Sequence, residues 1–216
     1  LTALFQKRTC QSICRFNPMM NAVVFFLLDL FGSWTFAKFL PYVVLLLLGG
    51  LAAWYLKKMR SRLWIKLSFM LLVAALPFAT YFFFYPIYQP DLFDQTYKPG
   101  AFVKVQTAKA MLAVVVLPGC PYCEGSIKTM NQLQAQNPKL KIVYYLVSDD
   151  STAKASYKKQ LDKRIGVVYE KNAMRWMLAA EGVFPSYLLY DHKQLKAAWH
   201  NTTFGVRALD YLRAYK

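Results

Sequence analysis

Two long stretches of the chain, 39–56 and 67–90, are dominated by apolar residues and contain no charged residue. A helix needs about 20 such residues to cross a bilayer. Tyr42 and Trp54 stand near the ends of the first stretch, where aromatic residues suit the membrane interface. The pattern therefore predicts two transmembrane helices, over 39–56 and 67–85, within an all-α transmembrane region that covers residues 1–85.

The short loop between these two stretches is strongly basic. Its cations are Lys57, Lys58, Arg60, Arg62 and Lys66. Loops rich in Lys and Arg stay on the cytoplasmic side of a membrane. The second helix is therefore expected to end outside the cytoplasm, and the chain that follows residue 86 is expected to be extracytoplasmic.

Residues 17–37 are also mostly apolar, but Asp29 and the pair Gly32-Ser33 interrupt them. A third transmembrane helix over 17–37 agrees with the charge rule, because it leaves three N-terminal cations in the cytoplasm: Lys7, Arg8 and Arg15. An interfacial or re-entrant helix is the alternative. A carboxylate in lipid is costly and seeks a partner, so Asp29 is either a proton or quinone site or a residue at the water interface.

The segment over 86–107 is interrupted by residues that disfavour a helix, namely Pro86, Pro90, Pro99 and Gly100. We therefore predict a linker over 86–107 that is extended rather than helical. At up to about 3.3–3.6 Å per residue, such a linker is long enough to hold the following domain tens of Å from the bilayer.

From residue 108 to 216, apolar residues follow strand and helix patterns in turn. The order β-α-β-α-β-β-α is typical of an α/β domain with one mixed, four-stranded sheet and flanking helices. The first crossover predicts parallel neighbours, and the short turn between the last two strands predicts an antiparallel pair. The predicted strands cover 112–117, 141–147, 186–190 and 195–200; the predicted helices cover 124–136, 204–215 and two pieces within 151–181, broken near 165–166.

Cys120-Pro121-Tyr122-Cys123 stands between the first predicted strand and the first predicted helix of this domain. Backbone N–H groups and the helix dipole favour a thiolate at a helix N-terminus. A thiolate attacks disulfides, and two thiols this close can form a small disulfide and open it again. The motif therefore predicts a site for thiol–disulfide exchange.

A C-x-x-C motif can also be half of a zinc site, which needs two further ligands. The chain has only two histidines, His192 and His200, and its other cysteines, Cys10 and Cys14, lie beyond the predicted membrane helices. We therefore expect no metal, and no cofactor other than the redox-active cysteine pair. Cys10 and Cys14 are either a second dithiol that passes electrons to the first or incidental thiols.

The net charge of +16 raises nucleic acid as a partner. The cations of the first half, however, cluster beside apolar stretches, and those of the second half scatter over predicted helical faces. This distribution is typical of membrane topology and of a solvated surface. We therefore expect no nucleic-acid partner.

The order of elements, the C-x-x-C motif and Val183-Phe184-Pro185-Ser186 before the third strand together resemble the thioredoxin superfamily over residues 100–216. C-P-Y-C is similar to the glutaredoxin active site. The resemblance implies a thioredoxin-like fold in which an exposed Cys120 attacks and a more buried Cys123 resolves. It also implies a cis bond before Pro185 and a substrate site that contains Pro121, Tyr122, Phe184 and Pro185.

The sequence departs from thioredoxin at two positions. Gly119 replaces the Trp that often precedes the first cysteine, and Val114 replaces a buried carboxylate on the first strand. The usual proton acceptor for the second thiol is therefore missing. Glu124 is adjacent to that thiol, and it is either a substitute acceptor or simply a favourable charge in the first turn of the helix.

The membrane half is similar to bacterial DoxX/MauE-type membrane proteins that carry a thioredoxin-like domain. The resemblances imply a multi-pass protein of the bacterial inner membrane with its C-terminal domain in the periplasm. The expected activity is disulfide exchange with protein thiols and disulfides outside the cytoplasm, with the lipid bilayer and a membrane electron donor or acceptor as further partners. A non-catalytic binding or assembly module and a quinone-coupled electron carrier stay open as alternatives.

Overall fold

A computed structural model describes most of the chain: residues 22–55, 63–100, 103, 105, 107, 109–148, 151–169 and 173–215. These residues form two compact units, one that ends at Tyr88 and one that begins at Gln89. The pair Cys10 and Cys14, the N-terminal cations and most of the predicted basic loop lie outside the described residues.

The first unit is helical, with α1 (Ala22–Phe31), α2 (Trp34–Tyr55) and α3 (Leu63–Phe84). Two stretches, Trp34–Tyr55 and Trp64–Phe84, are long and apolar enough to cross a membrane by their length and composition. Helices are thus present where the sequence predicts them, but α2 begins at Trp34 rather than at 39. This extension includes Lys38, whose ammonium lies 6.0 Å from the centroid of the Tyr88 ring.

The predicted third transmembrane helix over 17–37 is wrong as a continuous element. Helix α1 ends at Phe31, Gly32 adopts a φ of 65°, and α2 starts at Trp34. The ten residues of α1 extend over about 15 Å, half the thickness of the hydrocarbon layer. Its Asp29 is exposed. The interfacial or re-entrant alternative stays a prediction.

Helices α2 and α3 pack closely at Gly49. A Cβ atom added there would clash with the backbone oxygen of Ala74 on α3, whereas one added at Gly50 would meet nothing within 4 Å. Gly49 therefore allows the two backbones to approach, as small residues do between apolar helices. Its neighbour Gly50 has no such role.

The second unit contains five strands and five helices in its described part. After the one-turn helix α4 (Gln89–Leu92) come β1 (Met111–Val116), α5 (Pro121–Gln136), β2 (Lys141–Leu146), α6 (Ser151–Gln160), β3 (Gly166–Tyr169), α7 (Ala173–Ala179), β4 (Ser186–Asp191), β5 (Gln194–His200) and α8 (Val206–Ala214). The sheet order is β3-β2-β1-β4-β5. Strand β1 pairs parallel with β2 and antiparallel with β4, and β4 pairs antiparallel with β5, so both predicted pairings are confirmed.

Both faces of the sheet are covered, and every residue of β1 is buried. On one face, Val115 and Leu188 belong to a core cluster that includes Trp176 of α7, whose ring stacks on Tyr145 at a centroid distance of 3.9 Å. The other face carries α5, which packs on β2 and against α8. The cysteine motif at the start of α5 therefore lies on the second face.

The sheet has one strand more than predicted. Residues 166–169 are not part of a broken helix but form β3, an edge strand parallel to β2. A four-residue strand is too short to show a period, and its pairing with β2 makes it a strand. A Cβ atom added at Gly166 would lie 3.5 Å from a methyl group of Val143, an ordinary van der Waals contact, so the pairing does not require glycine there.

The structure also differs from the predicted extended linker over 89–97. Helix α4 contacts α8, and the Trp199 indole donates a hydrogen bond of 2.8 Å to Asp94. The Tyr97 N–H donates a bond of 2.9 Å to the Ala198 carbonyl. Residues 89–97 therefore pack against the second unit and belong to it.

Candidate active site

The cysteine motif begins at a tight turn between β1 and α5. Gly119 has a φ of 72°, a left-handed conformation that suits glycine, and the Cys120 N–H donates a bond of 3.3 Å to the Leu117 carbonyl. Cys120 is the N-cap residue of α5, and Pro121 follows at the first helical position, where its missing N–H costs nothing. The helix therefore begins directly after Cys120, as the local sequence favours.

Cys120 and Cys123 are not joined by a disulfide, and both are buried. Cys120 is 9% exposed and Cys123 is 0% exposed. The expectation that Cys123 is the more buried sulfur is confirmed. The expectation that Cys120 is exposed is wrong, because the turn after β1 folds back, with the Cys120 N–H bonded to the Leu117 carbonyl, and leaves this side chain buried.

The Cys120 thiol is acidified by its neighbours. A hydrogen bond with the Cys123 side chain is the largest cause, and it lowers the pKa of Cys120 to about 6 together with the backbone N–H groups of Cys123 and Tyr122. Burial acts against this shift, and so does the negative charge of Glu124. Cys120 is thus the thiol that ionises, as its place at the helix N-terminus predicts.

A chain of hydroxyl groups lies beneath Cys123. Ser126 Oγ donates a bond of 2.6 Å to the Cys123 carbonyl and lies 3.0 Å from Tyr144 Oη. Since the Ser126 proton is used on the carbonyl, Tyr144 is the donor in the second bond. Tyr144 sits directly opposite Val114 in the register of β1 and β2. Hydroxyl groups from neighbouring elements thus surround a site where the resemblance to thioredoxin leads one to expect a carboxylate.

Tyr157 of α6 contributes a third hydroxyl group next to Tyr144. Its side chain is 4% exposed, and its ring centroid lies 5.9 Å from that of Tyr144. Its hydroxyl is buried and has no hydrogen-bond partner among the described residues. Burial raises the pKa of Tyr157, and negative charge on Cys123, Glu124 and Cys120 raises it further. Both effects keep the Tyr157 phenol protonated.

The loop before β4 lies at the same end of the sheet. The Phe184-Pro185 bond is cis, as the family resemblance implies. Ser186 pairs with Val115, so Pro185 lies next to the carboxyl end of β1, which leads into Cys120. Pro185 is buried and Phe184 half-buried. In the helix start, Pro121 is exposed and Tyr122 half-buried.

A polar cluster holds this loop from the opposite face of the sheet. His200 lies 3.1 Å from Ser186 Oγ through Nδ1 and 3.4 Å from Glu181 through Nε2, and burial lowers its pKa. The Tyr97 ring stacks on His200 at 3.7 Å, and burial is the main cause that raises the pKa of Tyr97 to about 12. Among the contacts described, His200 thus supports the residue after Pro185, on the face opposite the one that carries α5.

The structure therefore brings together the two predicted thiols in one turn and the predicted proline loop at the same sheet end. Sequence reasoning missed Ser126, Tyr144, Tyr157 and Tyr97. Ser126 carried a weak signal, because it lies one turn after Cys123. The three tyrosines carried none, since only the folded sheet and the packing of α6 and the 89–97 segment bring them to the site.

The second unit has a thioredoxin-like fold, with a mixed sheet, flanking helices and a dithiol at the start of the first helix after β1. No protein-family model matches the chain, and no curated protein matches it. Several solved structures of thiol–disulfide oxidoreductases are similar to it.

A secreted disulfide oxidoreductase of Mycobacterium tuberculosis, homologous to DsbE of E. coli, is 18% identical with a TM-score of 0.42, and the match covers 50% of this chain and 81% of that one. StoA of Bacillus subtilis is 11% identical with a TM-score of 0.41, covering 50% and 84%. The thioredoxin domain of a Bacteroides vulgatus thiol-disulfide oxidoreductase is 13% identical with a TM-score of 0.38, covering 49% and 80%. Identities this low concern the fold alone.

Proposed function

We propose that the chain is a membrane-anchored thiol–disulfide oxidoreductase that exchanges disulfides with proteins outside the cytoplasm. The observation that carries this proposal is the position of two reduced cysteines at the N-terminus of α5, at the sheet end that also holds Pro185. In this arrangement the pKa of Cys120 is lowered to about 6. A thiol with this pKa is mostly thiolate at neutral pH, and the thiolate is the species that attacks a disulfide.

The exchange proceeds in two steps, attack by Cys120 and resolution by Cys123. The Cys120 thiolate attacks one sulfur of a substrate disulfide, and the other substrate sulfur leaves with the bonding electron pair and takes a proton. Cys123 then loses its proton and attacks the Cys120 sulfur. The mixed disulfide breaks, and the second substrate sulfur leaves as a thiolate that takes up that proton. The substrate gains two electrons and the cysteine pair loses them; the same steps in reverse oxidise a substrate dithiol.

Substrate binding is assigned to Pro121 and Tyr122 in the helix start and to Phe184 and Pro185 in the facing loop. An extended substrate segment can pair with a free backbone edge, which gives affinity with little demand on its sequence. The position of Pro185 beside the carboxyl end of β1 supports this assignment.

The membrane anchor is assigned to α2 and α3. Apolar side chains are exposed along α3, among them Leu71, Leu72 and Phe83. A surface of this kind suits lipid better than water. From these helices and the basic loop we infer a protein that is anchored in the bacterial inner membrane and whose dithiol unit is periplasmic.

The activity is tested with the full chain in detergent micelles. We expect the reduced protein to open a disulfide-linked fluorescent peptide much faster than an equal concentration of a small-molecule dithiol. Equilibration with glutathione buffers gives the reduction potential. A value near about −270 mV indicates a reductant and one near about −120 mV an oxidant. Exchange no faster than that of the small dithiol contradicts the proposal.

The topology is tested by labelling single introduced cysteines in a chain whose four native cysteines are replaced by Ser. Lys193→Cys lies in the exposed turn between β4 and β5. We expect a maleimide that cannot cross the inner membrane to label this position in intact cells whose outer layers are permeable. The matched variant Lys58→Cys, in the basic loop, is expected to react only after lysis. The reverse pattern contradicts a periplasmic dithiol.

A further inference from the structure

We propose that the Tyr157 hydroxyl donates a hydrogen bond to the Cys123 sulfur when that sulfur becomes a thiolate, and thereby promotes the resolving step. The inference rests on the proposed function and extends it to a residue of α6. It concerns Cys123, not the acidified Cys120.

The need for such a donor follows from the burial of Cys123. This thiol is 0% exposed, so its thiolate cannot be stabilised by water. Val114 stands on β1 where the resemblance to thioredoxin leads one to expect a carboxylate that accepts the proton. The resolving thiolate therefore requires stabilisation from a neighbouring polar group.

Two nearby hydroxyl groups already use their protons elsewhere. Tyr144 donates to Ser126 Oγ, and Ser126 donates to the Cys123 carbonyl. Either hydroxyl would have to give up an existing bond to reach the sulfur. Their role is to hold the first turn of α5 on β2.

Tyr157 differs from both in having an uncommitted proton. Its hydroxyl is buried and finds no hydrogen-bond partner in the described part of the chain, although buried polar groups are nearly always paired. Its ring lies beside that of Tyr144. The Tyr144 hydroxyl is in turn bonded to Ser126, which bonds the Cys123 carbonyl, so a continuous set of contacts connects Tyr157 to the turn that carries Cys123.

The hydroxyl acts as a donor and not as a base. Burial and the negative charges of Cys123, Glu124 and Cys120 all raise the pKa of Tyr157, so the phenol keeps its proton at physiological pH. In the resolving step, the Cys123 sulfur attacks the Cys120 sulfur as its proton leaves. The bond between Cys120 and the substrate breaks, and the departing substrate thiolate takes up that proton. Tyr157 keeps its own proton throughout and stabilises the charge that develops on Cys123.

The inference is tested first without any substrate. In a full chain that carries Cys10→Ser, Cys14→Ser and Cys120→Ser, Cys123 is the only thiol, and the Cβ chemical shift of isotope-labelled cysteine reports its ionisation. Tyr157→Phe removes only the hydroxyl. We expect the pKa of Cys123 to rise by about one unit or more, since a hydrogen bond to a charged group contributes about a tenfold or larger equilibrium effect.

The matched control is Tyr190→Phe, which removes a hydroxyl from a tyrosine buried on the other face of the sheet. It is expected to leave the Cys123 titration unchanged. An unchanged Cys123 pKa in Tyr157→Phe, or an equal rise in both variants, overturns the inference. The Cys123 titration uses no substrate. Its result therefore tests the inference about Tyr157 whether or not the chain proves to be an oxidoreductase.

A kinetic measurement then separates the two steps of exchange. With both dithiol cysteines restored, Tyr157→Phe is expected to slow resolution of a preformed mixed disulfide about tenfold at neutral pH, and to move the pH midpoint of resolution upward. The rate of Cys120 alkylation is expected to change far less. Slower alkylation with unchanged resolution would contradict the assignment of Tyr157 to Cys123.

Discussion

Cys123→Ser is expected to leave the protein covalently joined to its substrates. Cys120 still attacks a substrate disulfide, but the serine hydroxyl cannot displace the substrate from the mixed disulfide. One substrate sulfur is released per chain and turnover then stops. Adducts that accumulate in cells and disappear on reduction are detected on non-reducing gels and identified by mass spectrometry.

Cys120→Ser is the matched control for this trap. It removes the attacking thiol and leaves the buried Cys123, so few or no adducts are expected. Both variants are made with Cys10→Ser and Cys14→Ser, so that no adduct forms at the N-terminal pair. Adducts on Cys123 in the control, with none on Cys120 in the trap, would reverse the two roles and contradict the proposed mechanism.

The second large effect is expected in the pH dependence of Cys120. Alkylation requires the thiolate, so its rate in the reduced protein is expected to rise to half of its plateau near pH 6, the pKa of Cys120. An ordinary cysteine reaches that point near about pH 8.5. The midpoint is measured by mass spectrometry of chains quenched after short exposure to iodoacetamide. A midpoint above pH 8 contradicts an acidified thiol.

The cause of this midpoint is tested with Cys123→Ala. The hydrogen bond from the Cys123 side chain is the largest influence that lowers the pKa of Cys120. Its removal is expected to move the midpoint of alkylation upward. A midpoint that stays near 6 would instead assign the acidity to the backbone N–H groups of Tyr122 and Cys123.

The lowered pKa of Cys120 also affects the stability of the folded protein. A pKa lowered in the folded state means that folding favours the Cys120 thiolate over the thiol. This contribution is fully present above the unfolded pKa of about 8.5 and is lost as the pH falls through 6. The reduced protein is therefore expected to lose stability to urea between these values. The oxidised protein, which has no thiol at this site, serves as the comparison.

The sequence predicted the strand, turn and helix around the dithiol because each has a strong local signal. A continuous run of Val and Leu residues is typical of a buried strand, Pro118-Gly119 interrupts it, and Pro121 suits the first position of a helix. The parallel pairing of β1 with β2 and the antiparallel pairing of β4 with β5 were predicted from chain connectivity. The proline before β4 was placed by its resemblance to a known family.

Other features had no local signal. Strand β3 is too short for a period, and it exists because its backbone pairs with β2. The apolar run over 17–37 looked like one helix, but Gly32 adopts a left-handed conformation and divides it. The exposure of Cys120 was overestimated because the composition of a motif does not show how deeply its turn is set into the domain.

The sequence by itself determined that this protein carries two long apolar helices and a domain with a dithiol at the start of a helix, because apolar runs and the C-x-x-C spacing are local properties. Only the tertiary structure decided what surrounds the second sulfur. Val114 supplies no carboxylate from β1, and hydroxyl groups are contributed from α5, β2 and α6 by Ser126, Tyr144 and Tyr157. Residues so distant along the chain become neighbours only through strand register and helix packing, neither of which any single segment records.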